Sequence, residues 1–326
     1  SMRLNGVITK ENEERLMPDD TRSIIEQIYQ MAGNRNMYTL EETGDDDFSF
    51  SIPGLSRFRV SAFKQRGSLS AVIRVISFSL PDAKEQGIPQ QIIDFADFSK
   101  GLVLVTGPAG SGKSTTLACV IDHINQTRHE HIITLEDPLE FLHRHNKSIV
   151  SQREISVDTV SYVTALRASL RQSPDVILLG EMRDFETIQV AMTAAETGHL
   201  IFSTLHTIGA ANTIDRIIDV FPTHQQQQTR IQLAMILEGV ISQALIPTAD
   251  GHGRVAAFEV MLASPAIRSL IREQKNHQIQ STIQTSRAQG MITLDDYILD
   301  LYKSGTITRD MALVYAQDQV AMKKQM

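Results

Sequence analysis

The stretch "GLVLVTGPAGSGKSTT", Gly101 to Thr116, decides the fold. Its first half is an unbroken aliphatic run, which reads as a strand buried on both faces. Its second half, Gly107-Pro108-Ala109-Gly110-Ser111-Gly112-Lys113-Ser114, fits the pattern G-x4-G-K-[ST] without a gap and opens a helical pattern. Each residue type has a task there. Glycines let successive backbone N–H groups turn inward around a β-phosphate, and the start of the next helix adds partial positive charge. Lys113 spans the β and γ oxygens, the Ser114 hydroxyl ligates Mg²⁺, and Thr115 completes the binding stretch. A Gly-rich turn with no ligand would leave the pair Lys113-Ser114 unexplained.

Outward from this loop the same grammar repeats. Apolar strands alternate with longer helical patterns: "LVLVT", a helix over 113–127, "HIITL", a helix near 158–172, "VILLG", a helix near 185–197, then "LIFSTL". Such alternation predicts an α/β fold, a mainly parallel sheet covered by helices. Upstream, a periodic helix over Thr21–Met31 and the stretches "FSFSIPG", "RFRVSAF" and "SAVIRVI" read as a small α+β unit with antiparallel strands. The turn-rich "SLPDAKEQGIP" is a linker, which sets the boundaries at 1–90, 91–263 and a helical region over 264–326. The last residues, "MKKQM", are expected to fray. The run Glu41 to Asp47 reads as a solvated turn between strands, and "QQQQ" at 225–228 as the polar face of a helix begun after Pro222.

Composition narrows the classes. With 42% hydrophobic residues the chain can bury a full core, and no segment approaches the apolar length of a membrane span. The N-terminus lacks the apolar centre of a secretory signal, and Ser1 before Met2 reads as a tag remnant. A net charge of −7 without a long Lys/Arg cluster argues against nucleic acid as a partner. One cysteine, Cys119, supports neither an internal disulfide nor a multi-cysteine zinc site, and it falls in an apolar helical pattern.

A phosphate loop alone does not separate kinases, GTPases and motors, so the carboxylates that follow carry the reading. "VILLGEMRD" ends a strand at Gly180-Glu181, placing Glu181 at the strand edge where ligands sit in open α/β sheets and making it the metal-side acid. "HIITLEDPLEF" ends another strand with Glu136, Asp137 and Glu140. Pro138 turns the chain so that Glu140 faces the γ-phosphate as the favoured base, with Glu136 second. His206 follows the strand "LIFSTL" and is placed to sense a γ-phosphate. His199 precedes that strand, and for it a nucleotide contact and a structural hydrogen bond both remain open.

Four segments in this order, "GPAGSGKSTT", "TLEDPLEF", "LLGEMRDFETI" and "AAETGHLIFSTLHT", resemble the Walker A, Asp box, Walker B and His box of the type II/IV secretion ATPases. The sequence most resembles their PilT-type retraction ATPases of type IV pili. "GLSRFRVSAFKQRG" is similar to that group's small PAS-like N-terminal domain, "TIDRIIDVFP" and "VISQALIP" to its core, and "AIRSLIRE" to its C-terminal signature. Ala109 stands where the group usually has Thr, and Ser269 where it has Asn. A segment like "ASDLHL", with an opening helix and strand, is expected before Met2 and does not occur.

The resemblance implies a RecA-like P-loop ATPase core that uses ATP and Mg²⁺, assembles as a homohexamer, and powers pilus retraction and twitching motility. It implies a platform protein of the inner membrane as partner, an accessory retraction ATPase as a further one, and a place at the inner face of the cytoplasmic membrane. Arg59 and Arg74 match positions that reach phosphates, a task suited to the fixed fork of arginine, although strand alternation alone would leave them facing solvent. The same resemblance leaves rivals. They are a retraction-accessory paralogue, an assembly or secretion ATPase (whose four-cysteine element this chain lacks), a small-molecule P-loop kinase, and a scaffold that binds ATP without turnover.

Overall fold

The computed structural model describes residues 1–326 except 5–6, 11–14, 54 and 77–78. The chain divides into two compact units, Ser1–Phe78 and Ser79–Met326.

In the first unit, β1 (Met2–Leu4) and β2 (Val7–Thr9) pair antiparallel. Helices α1 (Pro18–Met31) and α2 (Tyr38–Thr43) precede an antiparallel sheet of β3 (Asp45–Ile52), β4 (Ser56–Gln65) and β5 (Ser68–Ile76). The apolar stripe of α1, Ile25, Ile28 and Tyr29, packs on Phe48, Phe50 and Val60. The acidic run is not the solvated turn between strands that its composition suggests: it closes α2 and opens β3. Alternation along β3 turns Asp46 inward, where its carboxylate accepts from both Arg35 Nε (3.0 Å) and Nη2 (2.9 Å), and from the Tyr29 hydroxyl at 2.8 Å. A buried carboxylate needs such saturation, which turns a surface-looking residue into a tie between helix and sheet.

The second unit is built on a seven-stranded sheet. Helix α3 (Gln90–Ile93) leads into β6 (Gly101–Thr106) and α4 (Lys113–Thr127). β7 (His131–Glu136), β8 (Ile149–Glu154), α5 (Tyr162–Ser169), β9 (Val176–Leu179), α6 (Phe185–Glu196) and β10 (Leu200–Leu205) follow. Then come α7 (Ala210–Asp219), α8 (Thr223–Ile236), β11 (Leu237–Pro247) and β12 (Arg254–Leu262). The strand order is β12-β11-β6-β10-β9-β7-β8, parallel except for β12, which runs antiparallel along β11 at one edge. Burial on both faces is direct: Leu102 and Leu104 of β6 join one core, Val103 and Val105 the other. The parallel α/β reading holds, while β8, β11 and β12 lie in stretches whose strand character the alternation pattern did not resolve. Helix α5 is shorter than the span 158–172 because Ser161 caps it, accepting from Thr164 N at 3.2 Å, and Pro174 follows.

The C-terminal part is helical: α9 (Pro265–Arg272), α10 (Ile279–Thr285), α11 (Leu294–Lys303), α12 (Arg309–Tyr315) and α13 (Gln319–Gln325). The final residues do not fray in the structure. Met322 is buried with Ile246, Leu294 and Ile298, and Asp318 caps α13.

The segment "AIRSLIRE" forms α9. Ile267 and Ile271 are buried, and Arg268 reaches across to the end of α8, donating from Nη1 to Ala234 O (2.8 Å) and Met235 O (2.9 Å) and from Nη2 to Glu238 Oε2 (2.9 Å). One guanidinium thus satisfies carbonyls left over at a helix C-terminus. Arg268→Ala leaves them and a half-buried carboxylate without their donor, and is expected to cost about 1–3 kcal/mol. Urea denaturation of the variant against wild type checks it.

Candidate active site

Strand register decides which side chains meet. Thr106 of β6 pairs with Leu205 of β10 and Ser242 of β11, while Ser203 of β10 pairs with Leu179 of β9, and Leu179 with Leu135 of β7. The phosphate loop, Glu136, Gly180-Glu181 and His206 therefore all leave the sheet at the same C-terminal edge. His199 precedes β10 at the opposite edge of the sheet, about 20 Å of strand away. Its Nδ1 contacts Ala194 O at 2.9 Å, and it takes no part in this cluster.

Lys113 is 8% exposed, and its Nζ donates to Gly107 O at 2.8 Å and Pro108 O at 3.0 Å. Burial lowers its pKa, and the nearby charges of Glu140 and Glu181 oppose that shift. Both predicted acids thus lie within electrostatic reach of the loop lysine. Ser111 is buried beside it, and its hydroxyl has no partner among the described residues. A buried hydroxyl without a partner is costly in a closed protein and natural in a cradle built for an oxyanion.

Glu181 is 15% exposed, with Arg183 Nε at 2.7 Å from Oε1 and His206 Nε2 at 3.6 Å from Oε2. Its approach depends on Gly180, where a Cβ would stand 2.8 Å from the Tyr162 hydroxyl and 3.2 Å from Leu135 O. Thr204 Oγ1 donates to Gly180 O at 2.6 Å and fixes the turn against β10.

Glu136 and Glu140 differ in environment. Glu140 is exposed after the turn at Pro138. Glu136 lines a small cavity with Ser114, Phe141, His143, Gly180 and Thr204. Burial pushes its carboxyl up to about 7, against hydrogen bonds that favour the charged form, among them one from Gln152 Nε2 at 3.5 Å. Folded Glu136 therefore keeps its proton well above the pH at which the unfolded chain loses it. The stability this proton confers is full only below the ordinary carboxylate value of 4.5 and is lost progressively as pH rises from there through about 7. Thermal melting from pH 5 to 8 is expected to show this decline in wild type and a flatter profile in Glu136→Gln.

Arg59 and Arg74 belong to the first unit, where the register of β4 and β5 sets them directly opposite each other. Like charges in that position repel, and neither has an ion-pair partner among the described residues. Residues of the second unit that were given no role in the sequence also take part: Thr116, Tyr162, Thr204 and Gln243. Thr116 and Thr204 lie within the quoted motif segments, and Gln243 is an amide inside the apolar strand "VISQALI", while nothing in the sequence marks Tyr162.

Among the described residues no group of three His, Cys, Asp or Glu side chains is arranged to hold a metal by itself. The Ser114 hydroxyl and the Glu181 carboxylate are hard oxygen donors, a set that suits Mg²⁺ carried in with nucleotide phosphates.

A phosphate loop between β6 and α4, with acids from two other strand ends facing it, defines a RecA-like P-loop nucleotide-binding ATPase. The chain belongs to the type II/IV secretion system protein family, whose model matches residues 21–310. It is 47% identical over 311 residues to the type IV pilus retraction ATPase PilT of Pseudomonas aeruginosa, covering 95% of this chain and 89% of that one. A twitching motility protein of Neisseria gonorrhoeae is 44% identical over 98% of this chain and 85% of its own length. The crystal structure of the pilus retraction motor PilT with bound ADP superposes with a TM-score of 0.91 at 46% identity, covering 99% of this chain and 91% of that one.

Proposed function

We infer that this protein is an ATP-hydrolysing motor that powers type IV pilus retraction. The observation that carries the reading is near-full-length similarity to retraction ATPases in a chain whose own phosphate loop, Lys113 and Glu181 are assembled at one sheet edge.

In this reading the backbone N–H groups of Gly110 to Ser114 hold the β-phosphate, and Gly107 to Thr115 wrap the nucleotide. Lys113, now bonded to the loop carbonyls, exchanges them for phosphate oxygens. Bound Mg²⁺, held by Ser114 and Glu181, would neutralise charge on the phosphates. A water attacks the γ-phosphorus in line; its new O–P bond forms as the β–γ bridging bond breaks, and ADP and phosphate leave. Glu140 is the favoured proton acceptor and Glu136 the second. The two are separable: with Glu136 as base, activity rises as pH passes about 7, and Glu136→Gln removes that rise. His206 reads the state of the γ-phosphate through Glu181, its neighbour at 3.6 Å. A nucleotide contact for His199 requires a surface beyond the cluster of its own chain.

Assembly follows the same reading. A homohexamer gives Arg59 and Arg74, without an ion-pair partner among the described residues, a phosphate to meet, and the segments 1–90, 91–263 and 264–326 act as PAS-like domain, RecA-like core and helical region. Retraction needs a platform protein in the inner membrane, with an accessory retraction ATPase as a further partner, and so a position at the inner face of that membrane. Among the described residues no helix is long and apolar enough to cross it.

The test is genetic and direct. Cells lacking the gene are expected to display pili that do not retract, and a wild-type copy restores retraction. Unchanged retraction in the deletion strain overturns the reading.

A further inference from the structure

Strand β11 runs beside β6, and its register sets Ser242 opposite Thr106, the last residue before the phosphate loop. The next residue, Gln243, is 4% exposed and turned to the loop side of the sheet. Its Oε1 accepts from Thr116 Oγ1 of α4 at 2.8 Å, and among the described residues this is the only side-chain bond of a hydroxyl buried to 0% exposure. Two loop glycines close around the same residue. A Cβ on Gly107 would stand 2.2 Å from Gln243 O, and one on Gly112 would stand 2.8 Å from Gln243 Nε2. Both glycines have positive φ, 140° and 90°, so the loop approaches Gln243 as closely as backbone allows and in conformations only glycine adopts freely.

We propose that Gln243 is a positioning residue for the nucleotide: it braces the phosphate loop at its entry (Gly107), its exit (Gly112) and the first turn of its helix (Thr116). The inference rests on the nucleotide reading above. A loop that binds phosphate through successive N–H groups works only if those groups converge before the ligand arrives. The glycines that permit the shape also leave it soft, since they carry no side chains to pack. Gln243 supplies the missing rigidity from the neighbouring strand, with a fixed hydrogen bond and a backbone carbonyl in van der Waals contact. The strand's alternation gives its neighbour Ser242 a parallel task on the other face, where its hydroxyl accepts from Gly209 N at 2.9 Å, just past the His206 loop.

The test breaks the brace from both elements. Gln243→Leu keeps the volume and removes the amide; Thr116→Val removes the hydroxyl at constant shape; Thr116→Ser restores it. Fluorescent ADP with Mg²⁺ is titrated into each protein, with Lys113→Ala as reference and thermal melting alongside. Gln243→Leu and Thr116→Val are expected to weaken binding about tenfold, the scale of one buried hydrogen bond, and to raise KM more than they lower kcat. Thr116→Ser is expected to bind as wild type. If Gln243→Leu and Thr116→Val bind with wild-type affinity while Lys113→Ala does not, the brace is refuted and the nucleotide site stands. A lowered melting temperature with unchanged KM and reduced kcat also refutes it, because that pattern marks packing alone. If wild type itself fails to bind, the fault lies with the nucleotide reading.

Discussion

Lys113→Ala is expected to lower phosphate release by about a thousandfold or more, the scale at which a charged group over a transferring phosphoryl contributes. The lysine is almost wholly enclosed, and among the described residues its ammonium donates only to the carbonyls of Gly107 and Pro108. A cation held there at some cost in desolvation is poised to trade two neutral acceptors for phosphate oxygens. Burial lowers the lysine's pKa, and the charges of Glu140 and Glu181 act against that shift and favour the charged form. Alanine removes the charge and leaves two carbonyls facing the loop interior. A steady-state phosphate assay checks the loss, with thermal melting to confirm the fold. Turnover within threefold of wild type would end the case for this loop as the catalytic one.

Glu181→Gln is expected to reduce turnover by roughly a hundredfold to a thousandfold while leaving ADP affinity within a small factor. The substitution keeps shape and removes one negative charge from a position fixed by Gly180, Thr204 and the strand register. The lost charge matters most where magnesium and the transferring group share positive and negative charge, so the effect belongs in kcat. Arg183 and His206 lose their anionic partner as well, which loosens the link between the acid and the sensing loop. Parallel measurements of kcat and of nucleotide affinity distinguish this from simple misfolding, in which both decline together.

The mechanism and the fold meet in the parallel sheet. Parallel strands bring all their C-terminal ends to one edge, and the groups proposed to bind, position and sense phosphate stand there because each follows a strand. Gln243, one strand further along, steadies that edge from outside the motifs.

Much of this was readable in the sequence because its causes are local. The phosphate loop is contiguous, and its glycines, lysine and hydroxyl must be adjacent for backbone amides to surround one phosphate. Continuous aliphatic runs before Gly107, Glu136, Gly180 and His206 betray strands buried on both faces, and with them the α/β class and the edge on which those residues stand. The tertiary structure alone decided what depends on register between distant segments. Gln243 meets Thr116 across 127 residues of chain, and no periodicity in either segment announces it. His199 and His206 flank one strand and look equivalent as letters, yet a strand's two ends lie on opposite edges of the sheet. Asp46 sits in an acidic run that looks solvated, and becomes a buried tie only because Arg35 and Tyr29 fold over it. Local chemistry writes itself into neighbouring residues; pairing between remote ones is set by the packing of the whole sheet, which no short stretch contains.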